Sequence, residues 1–277
     1  MRIDSHQHFW RYDAQRHGWI TDDMAVLRKD YLPEQLLPEL KHNGMDGCIT
    51  VQVEHSEAET MSLLDLAGRH PEIVGVVGWV DLAAHGLAAR LRTLSQFPKL
   101  RGFRHVAQAE ADDRFLVRPD ILRGISALAE FGFTYDILIY PRQLPAAIEL
   151  VGRFPQQKFV VDHLAKPPIK AGEIDAWAAQ IRALGNAPNV YCKLSGMITE
   201  ADWQHWQSKD LAPYLDVVFE AFGSDRLMFG SDWPVCLLAG SYARVKAVVS
   251  EYAGKHCPEQ TDKIFGLNAA RFYGLKT

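Results

Sequence analysis

The sequence predicts an α/β protein folded as a single (β/α)8 barrel, on three observations. Eight short runs rich in Val, Ile, Leu and Phe recur along the chain, and stretches with helical periodicity separate them. The runs are nearly all apolar, as in a parallel sheet covered on both faces. The 277 residues hold eight such units with no linker, low-complexity tract or composition shift, so the chain reads as one domain over 1–277. An open doubly wound sheet is the alternative, but eight units in this length fit the closed TIM barrel better.

The first run, 3–10, is Ile-Asp-Ser-His-Gln-His-Phe-Trp. Residues two apart in a strand share a face, so His6 and His8 point the same way, with Asp4 one step behind. The long irregular stretch 9–32 carries Trp10, Tyr12, Trp19 and Tyr31 among charged residues. Loops of that length are usually functional, and its aromatics favour a lid packed over the barrel mouth. Pro33 suits the first turn of a helix, Leu36, Leu37 and Leu40 give one apolar stripe, and Gly44 ends it. Strand 47–53 and helix 56–70 follow, then strand 73–80 and helix 83–97, and strand 100–105. Pro119 opens a helix to 131, with strand 134–140 behind it and a helix over 144–154. Strand 158–163 precedes the turn-rich 166–172, then helix 174–184, strand 189–195 and helix 211–222. The eighth strand, 227–230, and helices near 242–252 and 262–272 close the chain.

Composition narrows the function. Thirty basic residues stand against 34 acidic ones, a net charge of −4 with no long run of either sign. That lacks the basic footprint of a nucleic-acid or membrane-surface protein. Cys48, Cys192, Cys236 and Cys257 lie far apart and form no C-x-x-C pair, which reads as reduced thiols in a cytoplasmic protein. No apolar run approaches the roughly 18 residues of a membrane span, and the N-terminus shows no leader-like pattern. A homo-oligomer is left open.

Active sites of such barrels lie at the C-terminal ends of the strands. Polar residues ending apolar strands are therefore the candidates: His6 and His8, Gln52 and Glu54, Arg104 and His105, Asp136, His163, Lys193 and Ser195, and Asp232. His6, His8, His163 and Asp232 supply three nitrogens and one oxygen, a set suited to zinc or another divalent ion. The bland alternative is a few hydrogen-bonded histidines and a helix-capping aspartate. Four such residues at three strand ends argue against it.

Five ordered motifs then resemble one group. They are Asp-Ser-His-Gln-His-Phe-Trp at 4–10, Lys-Leu-Arg-Gly-Phe-Arg-His at 99–105, Asp-His at 162–163, Cys-Lys-Leu-Ser-Gly at 192–196 and Phe-Gly-Ser-Asp-Trp-Pro at 229–234. The likeness extends to Asn-Ala-Ala-Arg-Phe-Tyr at 268–273 and is to the amidohydrolase superfamily. Within it, the chain resembles the amidohydrolase-2 branch that holds sugar lactonases of the L-fuconolactonase and L-rhamnonolactonase type. The resemblance implies a barrel in which Asp232 is the general base for water and His6, His8 and His163 complete a metal site. The chain departs from the superfamily's two-metal pattern: no Lys or Glu ends the fourth strand, and the fifth offers Asp136 in place of a histidine. The expectation is one divalent cation, zinc first, or none, since some lactonases of this branch work without a metal.

The expected reaction is hydrolysis of an aldonolactone, such as L-fucono-, L-galactono- or L-rhamnonolactone, in L-sugar catabolism. Asp232 would take the water's proton, and the histidines or their cation would polarise the carbonyl. His163 would assist there or protonate the leaving hydroxyl. Arg104, His105 and Lys193 are expected to donate to substrate, and Trp10 and Trp233 to cover a sugar ring. Two other readings are a decarboxylase of the same branch acting on an unsaturated or aromatic acid, and a non-catalytic sugar-binding protein.

Overall fold

The computed structural model describes residues 1–275, and its strands follow one another around the sheet in sequence order. They are β1 (Ile3–Gln7), β2 (Gly47–Val51), β3 (Ile73–Gly78), β4 (Leu100–His105), β5 (Thr134–Ile137), β6 (Phe159–Val161), β7 (Val190–Leu194) and β8 (Leu227–Phe229). Neighbouring strands are parallel throughout. The ring closes between β8 and β1, where Asp232 N donates to His6 O and His8 N to Trp233 O, both at 2.8 Å. Outside lie α1 (Pro33–His42), α2 (Glu57–Arg69), α3 (Leu87–Leu94), α4 (Pro119–Glu130), α5 (Leu144–Arg153), α6 (Asp175–Gly185), α7 (Ser208–Phe222), α8 (Tyr242–His256) and α9 (Asn268–Tyr273). The expected (β/α)8 barrel is present. Among the described residues, no helix is long and apolar enough to cross a membrane.

The local sequence explains the helical layer. In α4, Pro119 occupies the first turn with Asp120 beside it, and Ile121, Ile125 and Leu128 form the buried stripe. Within the barrel, Ile3, Ile49, Val51, Val77, Val160 and Met228 make an apolar plug. Burying each such side chain contributes about 1.5–3 kcal/mol. Beyond the plug, toward the strands' C-terminal ends, the inward positions turn polar.

Several elements are shorter than their patterns suggest. β5 stops at Ile137 because Leu138 O is taken by Gln108 N from the loop after β4. Residues 81–86 make tight turns before α3, with Ala84 N bonded to Asp81 O and Leu87 N to Ala84 O. The helix expected over 262–272 opens with a wide turn at Lys263–Leu267 before α9.

Two departures from regular strand geometry decide where the polar groups point. In β1, Asp4 pairs with Cys48 but Gln7 with Thr50, so one extra residue is accommodated. Such a bulge re-aims the side chains that follow it. Contrary to the alternation argument, Asp4 does not share the face of His6 and His8. Its Oδ1 accepts from His6 N (3.1 Å) and Ser231 N (2.9 Å), and its carboxyl lies beside Tyr242 of α8. Asp4 thus pins both the bulge and the closing seam, while burial raises its pKa to about 6.

The second departure follows β6. His163, Leu164, Ala165 and Lys166 have φ of 53°, 55°, 57° and 51°. The left-handed conformation costs roughly 1–2 kcal/mol per L-residue. It is held by the full burial of Leu164 and Ala165, by Trp177 Nε1 donating to Leu164 O (2.8 Å) and by Lys166 N donating to His163 O (2.7 Å). The turn brings Asp162 and His163, neighbours that an extended strand would send to opposite faces, to one cavity.

The long loop after β1 is closed at its base by reciprocal bonds of 2.9 Å between the backbones of Trp10 and Tyr31. Its turn at Asp22–Leu27 packs on Val235–Leu238, beyond β8. Arg16 Nη1 and His17 Nε2 lie 3.3 and 3.7 Å from Glu54 Oε1, beyond β2. The loop therefore straps the rim from β8 across β1 to β2, on the side where a lid was expected.

Candidate active site

Four side chains converge at the mouth, from β1, the turn after β6 and the end of β8. His6 Nε2 and His8 Nε2 are 3.2 Å apart. Asp232 Oδ1 lies 3.4 Å from His8 Nε2, 3.8 Å from His6 Nε2 and 3.9 Å from His163 Nε2. Backbone and hydroxyl partners hold the rings: His8 Nδ1 faces Val51 O at 2.7 Å, and His163 Nδ1 faces Ser195 Oγ at 2.8 Å. Two glycines make room. A Cβ on Gly230 would stand 2.6 Å from that of His6, and one on Gly196 would stand 2.5 Å from His163 Nδ1, at a φ of 62°.

Burial and charge set the protonation. Burial pushes the His6 imidazole well down and that of His163 to about 4, so both are neutral near pH 7. Burial alone would raise Asp232, but His163, His8 and His6 outweigh it and hold the carboxyl well below the usual range. Ligand atoms about 2.0–2.1 Å from a tetrahedral ion stand about 3.3–3.4 Å apart. The His6–His8 and His8–Asp232 separations match that spacing, and the edges to His6 and His163 are a few tenths longer. His6, His8 and Asp232 bring ligand atoms within 4.8 Å of one another, a donor set that fits a divalent cation, whereas His163 groups instead with His6 and Asp162.

A second layer of charge lies beneath. Lys193 Nζ is 2.5 Å from Asp136 Oδ2, 3.0 Å from Asp162 Oδ1 and 3.1 Å from His6 Nδ1. Tyr273 OH donates to Asp136 Oδ2 at 2.9 Å. Arg104 Nη1 donates to Asp162 Oδ2 at 3.1 Å, and Nη2 and Nε donate to Gln52. Burial would raise the Asp162 carboxyl, but Lys193, His6 and Arg104 bring it far below its ordinary value.

The remaining expected site residues fall elsewhere. Lys193 is wholly buried and its hydrogens face groups of the floor, which does not fit the expectation of a substrate donor. Arg104 reaches the pocket through Nη1, 3.4 Å from His6 Nε2, while its other donors are spent on the protein. His105 neighbours Arg104 in an extended strand and so takes the other face. There its ring stacks between those of His55 and Phe115 and bonds Glu110 at 2.7 Å. Trp10 and Trp233 are both buried and pack edge-on against Tyr31, and the Trp10 indole N–H is bonded to Lys29 O. Sequence reasoning missed Asp162, because strand alternation excludes it beside His163. Pro167 and Pro168 mark a turn after β6 but not its hand, so the sequence held no signal for Asp162.

A parallel barrel that gathers a His-x-His strand, a histidine after β6 and an aspartate after β8 defines a hydrolase-type site for activating water at a carbonyl. The chain belongs to the amidohydrolase family, whose sequence model, described as Amidohydrolase, matches residues 3–275. It is 43% identical to an L-fucono-1,5-lactonase of Burkholderia multivorans, covering 99% of this chain and 96% of that protein. An L-fucono-1,5-lactonase of Burkholderia ambifaria is 37% identical over the same shares. A crystal structure of a Burkholderia multivorans amidohydrolase with bound zinc superposes with a TM-score of 0.94 at 42% identity, over 100% of both chains.

Proposed function

We propose that this protein hydrolyses the ester bond of a sugar lactone, L-fucono-1,5-lactone first and the L-galactono and L-rhamnono lactones next, to the open sugar acid. The likeness to L-fucono-1,5-lactonases over nearly the whole chain carries the substrate class. The convergence of His6, His8 and His163 on Asp232 supports the chemistry. A water beside Asp232 loses its proton to the carboxylate as its oxygen attacks the lactone carbonyl. The oxyanion that forms is stabilised by N–H groups of the imidazoles and by the nearby Arg104 guanidinium. As the ring C–O bond breaks, the departing alkoxide takes the proton that Asp232 gained from the water, directly or relayed through the His163 imidazole.

His6, His8, His163 and Asp232 would hold one divalent cation, zinc first, which when bound would polarise the carbonyl and acidify water. A bound cation would take the imidazole lone pairs and stand in for their N–H groups in polarising the carbonyl, with Asp232 keeping the role of base. Four free cysteines support a reducing, cytoplasmic setting, and L-sugar catabolism is the metabolic context.

The test is acid release from a panel of aldonolactones, followed with a pH indicator, with and without chelator. The expected result is strong acceleration over spontaneous hydrolysis, greatest for L-fucono-1,5-lactone. No acceleration with any aldonolactone would refute the reading.

A further inference from the structure

The hydrogen bonds around His6 assign the position of its proton. Lys193 has no exposed surface, and its Nζ faces His6 Nδ1 at 3.1 Å. An ammonium has three hydrogens and no lone pair, so Nζ–H donates and Nδ1 accepts. A neutral imidazole carries one N–H, and that of His6 therefore sits on Nε2. The next ring fits. His8 Nδ1 is 2.7 Å from Val51 O, which only accepts, so His8 bears its proton on Nδ1 and a lone pair on Nε2. Across the 3.2 Å gap between the two Nε2 atoms, donor meets acceptor. Lys193, His6, His8 and Val51 O thus form one relay of matched donors and acceptors, with the His8 Nε2 lone pair turned toward Asp232 Oδ1 3.4 Å away as its cost. Arg104 Nη1 also approaches His6 Nε2, but at 3.4 Å, outside the ordinary range of about 2.7–3.2 Å, and it already serves Asp162 Oδ2.

A metal ligand needs the opposite tautomer. It offers the Nε2 lone pair and gives Nδ1–H to a carboxylate behind it. That carboxylate is in place: Asp162 Oδ1 lies 3.3 Å from His6 Nδ1, with Lys193 Nζ 3.0 Å away as its other neighbour. Lys193 and Asp162 therefore compete for one ring nitrogen. We propose that Lys193 is a positioning residue that holds His6 in its Nε2–H tautomer, so that the pocket presents an N–H when empty and a cation must first turn the tautomer over. The ring stays neutral in both states, and its single proton changes nitrogen. The clause about a cation rests on the metal reading of the site, whereas the tautomer does not.

Histidine-labelled protein tests this by long-range 1H–15N correlation, which shows the nitrogen that carries each proton; His6→Gln assigns the signal. Chelator-treated wild type should show His6 protonated on Nε2 and, with zinc, on Nδ1. Lys193→Met combined with Asp136→Asn removes a cation and an anion together. It should move the proton to Nδ1 without metal and tighten the zinc Kd, read by chelator competition, by about tenfold or more, the usual scale for a changed outer partner. A wild-type His6 protonated on Nδ1 overturns the proposal, as does a folded double variant that binds zinc no more tightly than wild type. If the double variant does not fold, the wild-type spectrum decides alone. Zinc binding to neither protein, with Nε2–H in the wild type, sinks the cation reading and upholds the tautomer.

Discussion

The floor of the pocket and its mouth use the same residue types to opposite ends. In the floor, Asp136 and Asp162 face Lys193 and Arg104 at 2.5–3.1 Å. Each carboxylate is spent on a cation, and pairs buried in this way add little net stability but are costly to break. At the mouth, the partners of Asp232 within 4 Å among the described residues are three imidazoles, with no lysine or arginine. A carboxylate locked to lysine is part of the frame. One ringed by imidazoles stays ionised while keeping an oxygen free for a proton.

The largest effect that contrast predicts is at Asp232. Asp232→Asn should fold with a near wild-type melting temperature and lower kcat by about 10²–10⁴-fold, the usual loss for a general base. A kcat near wild type on a lactone would move the base to His163. The floor should respond in the opposite manner. Arg104→Met leaves Asp162 short of a partner and should cost about 3–5 kcal/mol in urea unfolding. A loss below about 1 kcal/mol would show that the floor does not depend on its pairs.

Acid separates the layers further. His163 has a folded pKa of about 4 against an ordinary 6.5, because it is buried. The unfolded chain then binds more protons between those values, so stability is full above about pH 6.5 and falls as the pH drops toward 4. His163→Asn, measured in chelator-treated protein, should flatten that part of the profile; an unchanged slope would place the acid sensitivity elsewhere. The smallest effect is expected at Ser195→Ala, which removes the 2.8 Å contact to His163 Nδ1. About 0.5–1.5 kcal/mol of stability should be lost, with kcat falling by less than about tenfold.

The barrel was legible because most strands are short, largely apolar runs and the helices between them keep an apolar stripe. His6, His8, His163 and Asp232 were legible for a related reason, as polar residues ending apolar strands. What could not be read was direction. Alternation places Asp4 with the histidines and parts Asp162 from His163. A bulge and a left-handed turn reverse both, and both are imposed by contacts distant in sequence, such as Ser231 N on Asp4 and Trp177 on Leu164. Lys193 and Arg104 read as donors to substrate because a charged residue in an apolar strand needs a partner, and the partners lie on other strands. Trp10 and Trp233 sit beside the strongest motifs, yet their surfaces are taken up by the strap and its neighbours.

The left-handed turn also bears on the order of events during synthesis. Four successive residues at positive φ form no stable local structure, and their clamps come later in the chain: Trp177 from α6 and the bare Gly196 after β7. Asp232 arrives later still, on the last strand. A nascent chain that has emerged only as far as β6 holds the His-x-His strand but neither the clamps for His163 nor the carboxylate it faces. The reactive constellation therefore comes into being with the closing of the ring, and no earlier intermediate exposes it to the cell's metals and esters.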